Sequence, residues 1–245
     1  MGGRIQPSRF ERNPELSLHC ETFGAFPHPN RWLLWVIPNA TQKDDMARAR
    51  FHRQPAAQRR ASLIEATQKA LAEHGFAGAS VRVICAKAGV SPGLLTHYFD
   101  GVDHLIVETY KHIGDNIAKA ADETLAAAGP DPVARLKAYI GVTFKPPLLD
   151  RDLLAVWVVF WSLVRSNDAI RQTHDDIYSH FRGQMEGLLI DALGDRAATL
   201  NTRLTTVALN ALMDGLWLEL CLDNPSFTAD EAHLAALDWV DRLLG

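Results

Sequence analysis

Apolar residues recur at three- and four-residue spacing along most of the chain after Pro55, a period that predicts amphipathic α-helices. The pattern contains no strand signal and no internal repeat. Prolines, glycines and capping residues separate the predicted helices, which run over 55–74, 81–88, 92–99, 102–128, 132–143, 151–166, 169–193, 197–222 and 229–244. We therefore expect an all-α fold in which three short N-terminal helices precede a larger helical body.

Residues 1–45 differ from the rest of the chain, because they hold five of its twelve prolines and show no sustained period. Met46 then opens a short basic stretch. We expect the natural protein to begin at Met46 and 1–45 to be a translated upstream region; a disordered leader is the alternative. The predicted domains are thus a leader over 1–45, an N-terminal domain over 46–101 and a C-terminal domain over 102–245.

Charge is distributed unevenly along the chain, whose net charge is −4. Residues 46–99 contain eight basic and two acidic residues, whereas 100–245 contain twelve basic and twenty-two acidic ones. The first segment therefore carries a net charge of +6 and the second −10. A basic N-terminal domain on an acidic body directs one face of the protein toward a polyanion.

Motifs for catalysis are missing from the sequence. It has no metal-ligand spacing, no glycine-rich phosphate loop and no nucleophile elbow, so we predict no catalytic residue, metal or cofactor. An enzyme stays open as a weak alternative on His174 and the Asp175–Asp176 pair, which are better explained as a solvated helix face. No apolar run reaches the length of a membrane span.

The three cysteines, Cys20, Cys85 and Cys221, are far apart and odd in number, which favours a reduced, cytoplasmic setting. A redox sensor based on Cys85 or Cys221 is a further alternative. Both of those cysteines lie in apolar helical stretches, where cysteine usually packs without reacting.

Residues 80–99 have the pattern of a helix-turn-helix. Ser80 can cap a short helix that Gly89 ends, and Ser91 can cap the next one, with Pro92 at its first position. Apolar residues on both helices are spaced to face inward, which leaves an outward polar set on the second helix. Such a helix can enter the major groove of DNA.

The outward residues supply chemistry for reading DNA. Thr96 is a candidate for contact with a base edge or a thymine methyl. His97, Tyr98, Ser91 and the Ser80 hydroxyl suit phosphate contacts. The complete predicted DNA-binding set is Ser80, Val81, Arg82, Ser91, Pro92, Gly93, Thr96, His97 and Tyr98, with Arg48, Arg50 and Arg53 as a basic arm.

The segments 73–84 and 88–99 resemble the N-terminal DNA-binding domain of the TetR family of transcriptional regulators. The resemblance implies an all-α fold, in which three helices bind DNA and a divergent helical body binds a ligand and dimerises. It also implies a cytoplasmic repressor that a small effector releases from its operator. A lysine often follows the tyrosine–phenylalanine pair in this family, whereas here Asp100–Asp103 contains none, which weakens the expectation of a basic contact there.

The body resembles the BetI-type branch of that family at 155–161 and 211–218, which implies control of choline-to-glycine-betaine genes. The residues independently indicate a cation site, because aromatic faces and one carboxylate suit a quaternary ammonium such as choline. The predicted ligand-binding residues are Trp157, Phe160, Trp161, Asp214 and Trp217. Each aromatic residue could instead belong to the core, and another amine or an apolar effector from an unrelated pathway stays open.

The last two helices each carry an apolar stripe that can form a four-helix dimer interface. The stripes are Leu204, Val207, Leu212, Leu216 and Leu220 on one helix, and Leu234, Leu237, Val240 and Leu244 on the other. An intramolecular core role is the alternative for both. We expect a homodimer, because two reading helices must meet successive major grooves of a pseudo-palindromic operator in double-stranded DNA.

Overall fold

The computed structural model describes residues 55–222 and 226–245, so the predicted leader and the arm arginines lie outside the described residues. Within those two ranges the chain forms α-helices and no strand, which confirms the predicted fold class. The helices are α1 Ala56–Gly78, α2 Val81–Ala88, α3 Pro92–Tyr98, α4 Val102–Ala127, α5 Pro132–Val142, α6 Arg151–Leu163, α7 Asp168–Leu193, α8 Thr202–Cys221 and α9 Ala229–Leu244. We call α1–α3 the head and α4–α9 the body.

Side-chain caps begin most helices of the body. In each case a side-chain oxygen accepts the backbone N–H three residues later, which satisfies one of the free donors at a helix start. The capping residues are Asp131, Asp150, Asn167, Asn201 and Thr228. Glu231 returns a bond to the Thr228 backbone, so the predicted capping box opens α9.

Three helix ends differ from the prediction by more than one residue. Helix α8 was expected from residue 197, but Gly194–Thr199 form a 3-10 helix and Asn201 caps a later start at Thr202. Gly75 does interrupt the first helix, at φ +63°, yet one further turn follows it to Gly78. Helix α6 ends at Leu163 rather than 166, because Asn167 already caps α7.

The head and the body share one hydrophobic core. Buried residues of α1–α3, such as Leu63, Ile84 and Leu95, belong to the same cluster as Val156 and Phe160 of α6. Helix α6 packs directly on α1, and α4 continues from the head into the body. A second cluster joins the far half of α4 to α5, α7, α8 and α9. Helices α4 and α6 therefore connect the head mechanically to the body.

Candidate functional site

The head contains the predicted helix-turn-helix. The Ser80 hydroxyl accepts the Val83 N–H at 3.4 Å and caps α2. Gly89 ends α2 at φ +64°, a left-handed conformation that glycine adopts without strain, and the Val90 N–H bonds back to the Cys85 carbonyl at 3.0 Å. Pro92 then occupies the first turn of α3. The sharp turn between α2 and α3 thus follows from local sequence.

Most of the predicted DNA-binding residues are exposed on the surface of the head. Leu95 and Phe99 are buried and hold α3 to the core. Val81 and Tyr98 are half-buried, whereas the remaining seven are exposed: Ser80, Arg82, Ser91, Pro92, Gly93, Thr96 and His97. A methyl group added at Gly93 would meet no atom within 4 Å, so packing inside the chain leaves this face of α3 open.

Two details of this face bear on contacts with DNA. The Thr96 hydroxyl donates to the Gly93 carbonyl at 3.1 Å, which leaves its lone pairs and its methyl group available. The Ser91 side chain makes no capping bond, contrary to its predicted capping role, so its hydroxyl is also available. The His97 ring packs edge-on against Tyr98 at 5.0 Å between centroids.

A cavity of about 100 Å³ lies in the body, where the two hydrophobic clusters meet. Five helices and the α5–α6 loop contribute to its wall. The lining residues are Ile117, Ala121, Tyr139, Val142, Thr143, Leu148, Leu153, Trp157, Tyr178, Phe181, Met185, Asn210, Met213, Asp214 and Trp217. Its small volume and aromatic wall suit a compact ligand.

The aromatic side chains of the wall are held at their polar edges by the protein itself. Trp157 Nε1 donates to the Tyr178 hydroxyl at 3.2 Å, and Trp217 Nε1 donates to the Leu148 carbonyl at 2.9 Å. The Tyr139 hydroxyl donates to the Phe181 carbonyl at 3.4 Å. Because these N–H and O–H donors are already used, the two indole rings and the Tyr139 ring have apolar surface rather than free donors left for a ligand.

Asp214 is the one acidic residue among those lining the cavity. Its Oδ2 accepts the Asn210 amide N–H at 3.1 Å, and it forms no ion pair within the described part of the chain. Burial raises the pKa of Asp214 to about 6, although the positive charge of Arg182 lowers it slightly. At neutral pH, which lies above this pKa, the cavity therefore holds a negative charge that has no ion-pair partner among the described residues.

The structure brings together only part of the predicted ligand set. Trp157, Asp214 and Trp217 line the cavity. Phe160 does not line it: this ring is fully buried and stacks on Tyr110, with 4.0 Å between the ring centroids. Trp161 is also absent from the lining, but its Nε1 donates to the Tyr178 hydroxyl at 3.2 Å and so supports the wall.

Sequence reasoning missed the contribution of α7 and α5. Tyr178 and Phe181 are spaced three apart on one face of α7, a signal that was present but looked like ordinary core. Asn210, four residues before Asp214 on α8, was the partner that the same spacing could have indicated. Tyr139 of α5 carried no local signal, because only packing turns it toward the cavity.

A hydrogen-bonded aromatic layer lies beneath the cavity. The Tyr110 hydroxyl is 2.9 Å from His174 Nδ1, and the His174 ring lies 4.3 Å from that of Tyr178. Burial lowers the pKa of His174, with Arg182 adding to the effect and Asp175 opposing it, so the ring is neutral at pH 7. His174 therefore has a structural partner, and no group of three or more potential metal ligands occurs in the described ranges.

Comparison with protein families agrees with both parts of the structure. Residues 63–109 match the model for bacterial regulatory proteins of the tetR family, and residues 132–245 match the BetI-type transcriptional repressor C-terminal domain. The regulator BetI of Burkholderia thailandensis is 30% identical over 190 residues, 76% of this chain and 93% of its own length. BetI of Pseudomonas paraeruginosa is 32% identical over 191 residues, with the same coverage.

Solved structures show the same fold. A Pseudomonas aeruginosa PAO1 protein assigned as a transcriptional regulator has a TM-score of 0.73 and 39% identity, covering 80% of this chain and 95% of that one. A Saccharomonospora viridis protein, solved in complex with choline, has a TM-score of 0.64 and 20% identity, covering 76% and 96%. At that identity the second likeness shows the fold alone.

The helix-turn-helix head and the helical body agree with the architecture of a transcriptional regulator. The chain belongs to the TetR family and carries a BetI-type C-terminal domain. Membership of this family identifies it as a transcriptional regulator rather than an enzyme. Cys85 and Cys221 are both buried, and burial raises the pKa of each thiol, which disfavours the reactive thiolate that a redox sensor needs.

Proposed function

We propose that this protein is a homodimeric repressor that leaves its operator when a small quaternary ammonium compound, with choline as the leading candidate, enters the cavity. The observation that carries the proposal is the Asp214 carboxylate, which lies among aromatic residues and has no ion-pair partner in the described ranges 55–222 and 226–245. The BetI relatives support control of choline-to-glycine-betaine genes, and a protein of the same fold has been solved with choline.

The inventory of donors and acceptors favours a quaternary ammonium over other cations. A primary ammonium brings three N–H donors, and each one left unpaired in a buried site costs about 1–3 kcal/mol. The Oδ1 atom of Asp214 accepts no hydrogen bond from the part of the chain that the structure describes, whereas Oδ2 already accepts one from Asn210. A quaternary ammonium has no N–H to satisfy and gains about 0.5–2 kcal/mol from each aromatic face that it contacts.

For the operator, we propose that α3 enters the major groove and that its exposed face reads the bases. Thr96 is the proposed base contact, while Ser80, Ser91 and His97 contact phosphates. Arg82 is exposed and has no recorded partner in the described chain, so its charge is available to DNA. Gly93 and Pro92 keep the start of α3 narrow, which permits close approach to the groove.

For the dimer, we propose an interface built from α8 and α9. Leu204 and Val207 of α8 and Leu234 of α9 are exposed by 51%, 41% and 64%, which is unusual for large apolar side chains. By length and composition α8 is also apolar enough to cross a membrane, but Leu209, Met213 and Trp217 on its other face are buried against the body. Val240 of the α9 stripe, in contrast, is fully buried in the core, which fits the alternative intramolecular role for this residue.

Release from the operator would use the helices that the head and the cavity share. Trp157 of α6 lines the cavity, while Val156 and Phe160 of the same helix belong to the core that includes the head. A ligand that repositions α6 therefore acts on α1 and changes the separation of the two heads. Coupling between two such sites is typically about 1–3 kcal/mol. The proposed setting is the cytoplasm, where the operator DNA lies.

Calorimetric titration with choline tests the effector, using wild-type protein, Asp214→Asn and Glu219→Gln. Glu219 lies five residues after Asp214 on α8 but is exposed, so its variant is the matched control for loss of one charge. We expect binding to wild type and Glu219→Gln, and binding at least about tenfold weaker to Asp214→Asn. Folded wild-type protein that gives no heat at millimolar choline would rule out choline as the effector.

An electrophoretic shift assay tests the regulatory step. DNA from upstream of the reading frame is the first probe, with choline added to the preformed complex. We expect a specific complex that choline dissociates in wild type and in Glu219→Gln, but not in Asp214→Asn. A specific complex that choline does not dissociate would support operator binding but would rule out choline as the effector.

A further inference from the structure

Arg60 of α1 makes three contacts that converge on the end of the proposed reading helix. Its Nη1 donates to the backbone carbonyl of Tyr98 at 3.1 Å, and its Nη2 donates to Glu108 Oε2 at 2.5 Å. The guanidinium also lies over the Phe99 ring, 4.3 Å from its centroid. One side chain thus joins α1, the end of α3 and the first turns of α4.

The carbonyl of Tyr98 is one of the acceptors that a helix leaves free at its C-terminus. A cation at this end also interacts favourably with the helix dipole. The planar guanidinium can donate to the carbonyl and to the carboxylate together, because its N–H groups form a rigid fork. A lysine ammonium has no such fork, so it cannot reproduce both contacts in this geometry.

Glu108 is held in its charged form by its neighbours. Burial raises its pKa, but hydrogen bonding and the charge of Lys111, together with Arg60, lower the pKa by more, so the net pKa lies below the ordinary value. Lys111 Nζ is 3.1 Å from Oε1, and His104 Nε2 is 3.8 Å from the same atom. The side chain of Glu108 is 21% exposed, compared with 69% for Glu123 further along α4.

Helix α3 depends on these contacts more than its neighbours do. It spans seven residues, and Leu95 is the buried residue within it, with Phe99 directly after it. Helix α2 is anchored by two buried side chains and by an exposed pair between Lys87 and Glu73 on α1. A short helix with so little buried surface is easily tilted, and a shift of about 1 Å is enough to spoil base contacts.

We propose that Arg60 and Glu108 form a positioning pair, which fixes the tilt of α3 against α1 and α4 and thereby sets operator specificity without touching DNA. The proposal rests on operator binding by the head, and it is independent of the identity of the effector. A direct phosphate contact by Arg60 is the competing role, because the Arg60 side chain is 38% exposed. The two roles predict opposite effects when the charge of Glu108 is removed.

The test uses the full 245-residue chain without effector. The probes are a duplex that the wild-type protein selects from a randomised library and a random duplex of equal length. The variants are Glu108→Gln, Arg60→Lys, Arg60→Gln and, as the matched control on α4, Glu123→Gln. Among the described residues Glu123 pairs only with Lys119, at 3.8 Å, and it has no contact with Arg60, so its variant removes the same charge and leaves the Arg60–Glu108 pair intact.

For a positioning pair we expect Glu108→Gln and both Arg60 variants to bind the selected duplex about tenfold more weakly, because each variant weakens a charged hydrogen bond that holds α3 in place. Binding of Glu108→Gln to random DNA should stay equal or become tighter, because a negative charge has been removed. The ratio of selected to random affinity therefore falls, while Glu123→Gln keeps the wild-type ratio. The dependence of log K on log salt keeps its slope in Arg60→Lys and Arg60→Gln.

The proposal is overturned if Glu108→Gln binds both duplexes more tightly, if Arg60→Lys keeps the full affinity, or if Arg60→Gln lowers the salt slope by about 0.9 per head. Those results would assign Arg60 to a phosphate contact.

Hydrogen exchange of the free protein gives a second readout that needs no DNA. We expect faster exchange of the α3 amides in Glu108→Gln and Arg60→Lys than in Glu123→Gln, with α1 unchanged. Equal rates in α3 would also overturn the pair.

Hydrogen exchange separates this inference from the proposed function. If the wild-type protein selects no DNA sequence, operator binding fails, while the exchange of α3 still decides whether the pair positions that helix. If choline has no effect in any assay, the proposed effector fails and both readouts of the pair remain valid.

Discussion

Trp157 and Tyr178 are joined by a hydrogen bond of 3.2 Å, which ties α6 to α7 at the wall of the cavity. The same hydroxyl accepts the indole N–H of Trp161, also at 3.2 Å. One phenol oxygen therefore satisfies two donors, and the wall of the cavity depends on it. Burial raises the pKa of Tyr178 to about 12, with Asp214 adding to the effect, so the hydroxyl stays protonated in any physiological range.

Tyr178→Phe is expected to destabilise the protein by about 1–3 kcal/mol, because the substitution leaves two indole N–H groups without an acceptor. Chemical denaturation followed by circular dichroism measures the free energy of unfolding. Tyr139→Phe is the matched control, since its hydroxyl makes a single long bond of 3.4 Å, and its cost should be well below that of Tyr178→Phe. Equal costs for the two variants would show that the shared hydroxyl is not important for stability.

Asp214 should make stability and choline binding respond to pH in opposite ways. Its folded pKa of about 6 lies above the ordinary value of 3.8, so ionisation costs free energy in the folded state. That cost is absent below pH 3.8, the ordinary pKa. It grows as the pH rises from the ordinary pKa to the folded pKa, and it is complete above about pH 6. Asp214→Asn, which does not ionise, should therefore be more stable than wild type at pH 7.5, by an amount on the order of 2 kcal/mol.

The measurement is thermal unfolding at pH 4.5 and 7.5, where the advantage of Asp214→Asn should shrink at the lower pH. Choline binding to wild type should weaken below pH 6, because protonation removes the carboxylate charge. Glu219→Gln serves as control for both measurements. Choline affinity that is equal at pH 5 and pH 7.5 would contradict a role of the Asp214 charge.

Ligand discrimination should follow charge and N–H count rather than shape. The neutral isostere 3,3-dimethylbutan-1-ol replaces the ammonium nitrogen of choline by carbon, and we expect it to bind at least about tenfold more weakly, since cation–π attraction is lost. Ethanolamine keeps the charge but adds N–H donors, so it should also bind more weakly. Calorimetric competition against choline measures both, and equal affinity of the neutral isostere would indicate a purely apolar site.

The exposed apolar residues of α8 and α9 should control the oligomeric state. Leu234→Glu and Leu204→Glu place a charge in the proposed interface and should shift the protein from dimer to monomer, as measured by light scattering after size-exclusion chromatography. Ile190→Glu is the control, because this residue is 42% exposed but belongs to α7 rather than to the stripe of α8 or of α9. A dimer that persists in both interface variants would place the interface elsewhere.

Arg82 and Thr96 should affect DNA binding in different ways. Arg82→Ala should weaken binding to selected and random duplexes alike and lower the salt slope by about 0.9 per head, as loss of one phosphate contact does. Thr96→Ala should weaken only the selected duplex, by about 1–3 kcal/mol for a base contact. Lys119→Ala on α4, which is exposed and outside the head, is the charge control. If Thr96→Ala weakened both duplexes and Arg82→Ala weakened only the selected one, Arg82 would be the base contact and Thr96 the phosphate contact.

The sequence alone was sufficient for the head and for the helix order of the body. Ser80, Gly89 and Pro92 act through local backbone preferences, which do not depend on the rest of the fold, and the turn that they predict is the turn observed. The capping box at Thr228 was predicted for the same reason. Where a boundary was wrong, as at the start of α8, a competing local signal at Asn201 had been overlooked.

Only the tertiary structure decided which aromatic residues meet the cavity. Trp157 and Phe160 are three apart on one helix, look alike in a pattern and both pack against Tyr110, yet Trp157 lines the cavity and Phe160 does not. Which side of α6 meets which neighbour depends on the packing angles of α1, α4 and α7, and no local spacing encodes those angles. The contacts of Arg60 with Tyr98 and Glu108 cross 38 and 48 positions in the chain. The periodicity of the sequence shows which face of its own helix a residue occupies. The long-range partners of that residue depend on how whole helices pack against one another.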